Sequence, residues 1–90
     1  MNTEKQKTLT GFRKAQSLLK KIIDMAEKDS YCIDIMQQNL AVIGLLRAAN
    51  QTLMQGHLNS CFRSAMAAKN EKRKTEMIEE ILSVTKIFNR

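Results

Sequence analysis

The stretch "IDIMQQNLAVIGLLRAANQTL", Ile33 to Leu53, contains no proline and repeats its apolar residues at three- and four-residue steps. That period is the signature of an α-helix. The stretch decides the fold because it carries two apolar stripes. Ile33, Met36, Leu40 and Ile43 form one, and Val42, Leu46, Ala49 and Leu53 form the other. A helix that is apolar on two sides must be covered on two sides. One short neighbour covers a single side, so association with a second copy is expected. The helical pattern continues without proline to about Ala67, and Gly44 and Gly56 weaken it without breaking it. Taken from Ile33 to Ala67, a helix rising about 1.5 Å per residue would be on the order of 50 Å long.

Shorter helical patterns flank this segment. Ahead of it, Leu9, Phe12, Leu19, Ile22, Ile23 and Ala26 recur at helical spacing, which predicts a first helix from about Leu9 to Lys28. Thr8 or Thr10 is the expected cap, and residues 1–8 are read as a flexible lead. Asp29 and Ser30 favour a turn before the long helix. Behind it, "KNEKRKTE", Lys69 to Glu76, reads as a charged, solvated linker. A last helix from about Glu76 to Phe88 presents Met77, Ile81, Val84 and Phe88 as its apolar face. The expected fold is all-α: a three-helix subunit with a long central helix, forming a single domain over residues 1–90.

Composition narrows the class. Proline is absent and only 3 glycines occur among 90 residues, which suits helices. The chain has 15 basic and 9 acidic side chains, a formal net charge of +6, and this balance favours anionic partners, nucleic acid above all. "MNTEKQKTLTGF" lacks the apolar region of a signal peptide. No apolar run approaches the roughly 18 residues of a membrane span. A cytoplasmic setting without membrane contact is therefore expected, and there Cys32 and Cys61 are free thiols or ligands instead of a structural disulfide. No nucleophile–base–orienter set is visible, so no enzymatic role is expected.

The only histidine, His57, precedes Cys61 by four residues in "GHLNSC". That spacing stacks imidazole and thiol on one helical face, where they suit a soft or borderline ion such as Cu(I) or Zn(II). Two ligands are too few for specific binding, and Cys32 is the remaining thiol. It lies 25 positions before His57, roughly 37 Å away along a continuous helix. Within one subunit the set cannot close. Two long helices packed antiparallel about a twofold axis near Leu45 and Leu46 bring Cys32 beside His57 and Cys61 of a second copy, twice per dimer. Each site is then trigonal, with two sulfurs and one nitrogen, which suits Cu(I) better than Zn(II). Met36, one turn beyond Cys32, is read first as a packing residue. The competing readings are two buried core thiols with a structural histidine, or a thiol pair that crosslinks under oxidative or sulfide stress.

"DSYCIDIMQQNLAVIGLL", followed by "LMQGHLNSC", resembles the copper-sensitive operon repressor family of small bacterial metalloregulators. The likeness runs from about Phe12 to the last helix. It is most specific in Tyr31 to Ile35 and in the Cys, His, Cys spacing. The resemblance implies a dimer of dimers, a homotetramer, built from three-helix subunits. It also implies Cu(I) ligation by Cys32 of one subunit with His57 and Cys61 of another. Tyr31 matches a tyrosine close to the metal in copper members. Glu76 is the candidate for their neighbouring glutamate, with Met77 as the alternative alignment.

The same resemblance separates sensor classes. Nickel/cobalt and formaldehyde members use a ligand near the amino terminus, usually histidine, and residues 1–10 contain none. Persulfide members keep both cysteines and lack the histidine, so His57 favours copper over a persulfide- or thiol-sensing repressor. Typical first helices read close to "RIEGQVRGI", where this chain has "KAQSLLKKI", Lys14 to Ile22, and the family's DNA-directed arginine aligns with Ile43. Arg13, Lys14, Lys20, Lys21 and Arg47 retain the basic character expected to meet operator phosphates. The reading is a Cu(I)-responsive repressor that holds double-stranded operator DNA when metal-free. A copper-binding helical protein without an operator is the third reading, motivated by Ile43 and "SLLKKI".

Overall fold

A computed structural model describes residues 3–90 as helices joined by short turns: α1 (Thr3–Glu27), α2 (Cys32–His57), a π-helical turn (Leu58–Phe62), α3 (Arg63–Ala67) and α4 (Glu71–Phe88). The chain is thus all-α, with the expected long central helical segment running from Cys32 to Ala67. Its contacts group into two compact units, residues 1–53 and residues 54–90.

In the first unit α1 begins at Thr3, six residues before the expected start at Leu9. Of the segment 1–8, residues 1 and 2 lie outside the described residues. Thr8 and Thr10 are therefore not caps. They lie inside the helix, where their hydroxyls donate to the carbonyls of Glu4 at 2.7 Å and Gln6 at 3.0 Å. Such bonds satisfy a hydroxyl that the helix interior would otherwise strand. They let Thr8 be buried, which no apolar pattern reveals.

The turn at Asp29 and Ser30 forms as expected. Asp29 has φ of 55°. Its N–H donates to Ala26 at 3.2 Å, while the Ser30 N–H reaches back to Met25 at 2.9 Å. This crossed pair is a Schellman ending, which consumes carbonyls that the last turn of α1 leaves open. The carbonyl of Tyr31 then accepts from the N–H groups of Asp34 and Ile35, which starts α2.

α1 and α2 fold back on one another through small residues. A side chain on Gly11 would place its Cβ 3.4 Å from the Ala49 Cβ, so the helices approach closely there. Ala15, Ile22 and Val42 form the buried cluster, with Leu18, Ile35 and Leu45 packed against it. The interface follows Thr8, Gly11, Ala15, Leu18, Ile22 on α1, in alternating three- and four-residue steps, and Ile35, Val42, Leu45, Ala49 on α2, in steps of seven, three and four. That is the register of a helix–helix seam.

This register corrects part of the expected stripes. Phe12, Leu19 and Ile23, members of the expected α1 stripe, are exposed; Leu46 and Leu53 on α2 are exposed as well. The neighbouring seam positions are filled by Ala, Gly and Thr, which sequence periodicity undercounts. The second α2 stripe, Ile33, Met36, Leu40 and Ile43, is exposed along its length, with Leu40 at 65 %. One side of α2 is covered and the other is not. Among the described residues no large side chain is fully buried.

In the second unit the central segment leaves α-geometry at Leu58 and regains it at Arg63. The charged stretch Lys69 to Glu76 is mostly helix, not linker. Asn70 caps α4, its side-chain oxygen accepting from the Arg73 N–H at 3.1 Å. Glu71 in the first turn suits the positive end of the helix dipole. The charges pair along the helix surface, Lys74 with Glu71 at 3.1 Å, and Arg73 with Glu76 at 3.4 Å and Glu80 at 3.2 Å. Met77 is buried, while Ile78, Leu82, Val84 and Ile87 are exposed. Among the described residues no helix is long and apolar enough to cross a membrane.

Candidate metal centre

Each sequence-selected ligand has a distinct local setting. Cys32 is the first residue of α2 and His57 the last. Helical backbone continues between them without interruption. Cys61 lies in the π-helical turn that follows. Both thiols are free and exposed, and His57 is half-buried. Among the described residues, no three histidine, cysteine, aspartate or glutamate side chains of the chain gather into a metal-binding group.

The turn bearing Cys61 is the feature that sequence reasoning missed. In a π-helix the N–H reaches back five residues instead of four, and such turns recur at functional sites. Ser60 is central to it: its hydroxyl donates to the Gly56 carbonyl at 2.7 Å and lies 3.9 Å from the Cys61 sulfur. A weak signal was present in the sequence. A glycine sits four residues before a serine, so a helix-loosening position supplies the carbonyl that the serine hydroxyl can reach.

The neighbouring groups proposed from the resemblance differ in placement. Tyr31 is exposed and contributes its carbonyl to the start of α2. Glu76 is on the surface of α4, engaged by Arg73. Met77, the alternative alignment, is buried.

The basic residues sort onto a face. Arg13, Lys14, Lys20 and Lys21 are all exposed on α1; their spacing places Arg13 and Lys20 across the helix from Gly11, Ala15 and Ile22, with Lys14 and Lys21 on the flank between. With Thr10, Ser17 and Leu18, Arg13 and Lys14 border a shallow groove. Arg47 is exposed on α2. Guanidinium and ammonium groups on one face are what a run of phosphates requires.

Over residues 4–87 the chain matches the family model of the metal-sensitive transcriptional repressor. The chain belongs to this family. Membership places it among metal-sensitive transcriptional repressors, which are regulators and not enzymes. It is 33% identical over 86 residues to the copper-sensing transcriptional repressor CsoR of Mycobacterium ulcerans (strain Agy99), covering 96% of this chain and 71% of that protein. It is 26% identical over 87 residues to CsoR of Bacillus subtilis (strain 168), covering 97% and 83%. A shorter match, 36% identical over 55 residues, links it to the copper-sensing transcriptional repressor RicR of Mycobacterium tuberculosis (strain ATCC 25618 / H37Rv), covering 61% and 57%. As a metal-sensitive repressor, the chain needs a site that senses and a surface that binds DNA.

Proposed function

We propose that this repressor responds to Cu(I): metal-free it binds double-stranded operator DNA, and Cu(I) binding releases it. The sensing site takes Cys32 from one subunit and His57 with Cys61 from a second. Two thiols and an imidazole form a soft donor set that fits Cu(I) in trigonal geometry and leaves Zn(II) short of a fourth ligand. One observation carries the shared site. The α2 stripe containing Met36, Leu40 and Ile43 is apolar, exposed and begins beside Cys32. An exposed apolar stripe of this kind marks an interface, and antiparallel pairing along it supplies the missing ligands in trans. The assembly is a homodimer that pairs into a tetramer, with the whole of residues 1–90 acting as one metal-sensing, DNA-binding domain. Tyr31 stands next to Cys32 at the edge of this site. For Glu76 to act beside it, its pairing with Arg73 must open.

DNA is held by Arg13, Lys14, Lys20, Lys21 and Arg47 through phosphates, with DNA shape carrying the sequence preference. Affinity should fall steeply with salt, and replacing one of these lysines by alanine should reduce the salt slope by about 1. Copper moves the equilibrium only if it binds the DNA-free arrangement more tightly. His57 is the natural coupler, because its second ring nitrogen remains available to a neighbouring group. The test is anaerobic Cu(I) titration with X-ray absorption on the intact protein, Cys32→Ala and His57→Ala. Two sulfurs and one nitrogen per copper, reduced by each substitution, support the site. His57→Ala is expected to retain copper on two thiolates and to lose copper-driven DNA release. Full copper responsiveness in that variant would count against the role of His57. The exposure of both thiols also admits a persulfide sensor; a polysulfide-induced Cys32–Cys61 crosslink between subunits, with no stoichiometric copper binding, would favour it.

A further inference from the structure

We infer that Ser60 is a positioning residue for Cys61, holding the π-helical turn that presents this thiol. The inference rests on the copper-site reading above for its consequence, and on the geometry of the turn for its content.

Hydroxyl back-bonds are common in this chain and by themselves leave a helix undisturbed. Thr8, Thr10, Thr52 and Thr75 each donate to the carbonyl four residues earlier, and all four lie in α-helix. Ser60 makes the same bond, at 2.7 Å, and the backbone around it is π-helical. Two things differ at Ser60. Its acceptor belongs to Gly56, whose missing side chain weakens the α-register. Its oxygen also lies 3.9 Å from the sulfur of Cys61.

A hydroxyl has one proton and two lone pairs. The short contact to Gly56 takes that proton, and the 3.9 Å separation leaves the same hydroxyl oxygen beside the Cys61 sulfur. Ser60 thereby links the carbonyl at the entrance of the turn to the sulfur within it. The π-register also changes which residues lie above one another. Where Cys61 stands relative to His57 therefore depends on whether the turn is held. Ser60 does not ligate; it sets the angle from which Cys61 does.

The test compares Ser60→Ala and Ser60→Thr with the unaltered protein, using Cys61→Ala as reference. Alanine removes the back-bond and favours regular helix, whereas threonine retains a hydroxyl that makes this bond elsewhere in the chain. In metal-free protein, the Gly56 carbonyl-carbon NMR shift is expected to move in Ser60→Ala and to return in Ser60→Thr. Cu(I) affinity, measured against a competing chelator, should fall on the order of tenfold in Ser60→Ala, the low end for loss of a supporting group, and recover in Ser60→Thr. Unchanged shift and affinity in Ser60→Ala, or a threonine variant no better than alanine, overturns the inference. If Cys61→Ala binds Cu(I) as well as the unaltered chain, the copper-site reading fails with it. If Cys61→Ala loses binding while Ser60→Ala does not, only the role of Ser60 falls.

Discussion

Asp29 occupies a backbone position that glycine fills more readily. Its φ of 55° lies in the left-handed region, where a side chain meets the following carbonyl. Aspartate tolerates this better than most residues, yet glycine removes the strain altogether. Asp29→Gly is therefore expected to stabilise the fold by about 1 kcal/mol, read as a higher midpoint in chemical denaturation at fixed protein concentration. A lower midpoint would mean that the carboxylate contributes more than the strain costs. The turn itself was legible in "EKDSY", because Asp and Ser are turn formers by composition. The buried position of Thr8 was not. A threonine that bonds the carbonyl behind it hides its polarity locally, and apolar patterning has no means of registering that. The ligand candidates Cys32, His57 and Cys61 were legible by type and spacing. The back-bond that shapes the surroundings of Cys61 was visible only once the backbone register was known.

At the scale of the element, the charged run before Met77 shows how side-chain chemistry can disguise a helix. "KNEKRKTE" carries no apolar period, so a linker was the expectation. Yet Asn70 supplies a cap and the opposite charges stand three apart, as a helical surface allows. Exposed pairs of this kind contribute little each, which leaves the cap as the stronger local determinant. Asn70→Ala should cost about 1 kcal/mol and fray the first turn of α4, seen as faster amide hydrogen exchange at Lys72 and Arg73. Exchange rates unchanged at both amides would show that tertiary contacts, not the cap, start this helix. The long central segment was legible from end to end, because absence of proline and a sustained 3.6 period survive Gly44 and Gly56. Its π-helical turn was not, since inserting one residue into a helical turn alters no composition. The seam between α1 and α2 was half legible: Ile22, Val42 and Ala49 stand in the expected apolar stripes, whereas Gly11 and Ala15 do not, because small residues do not read as a stripe.

For the whole molecule, the decisive question is whether the metal site is shared. α2 has one face covered by α1 and one left open, and the open face starts at Cys32. Placing a charge on that face should separate the copies, because an unpaired carboxylate buried at an apolar interface costs several kcal/mol. Leu40→Asp is accordingly expected to sediment as a smaller species, and to lose tight Cu(I) binding although every ligand is intact. A variant that remains fully assembled would place the interface elsewhere. Complementation tests the sharing directly. One chain carries Cys32→Ala; the other carries His57→Ala with Cys61→Ala. Alone, each assembly lacks every complete site. Mixed and refolded together, a heterodimer unites Cys32 of the second chain with His57 and Cys61 of the first, while its other site lacks all three. Tight Cu(I) binding should therefore return at one equivalent per heterodimer, half the value of the unaltered dimer. A site closed within one chain predicts no recovery, because neither chain holds a full set. Recovery thus requires ligands from two subunits, and its stoichiometry counts how many sites the symmetry builds.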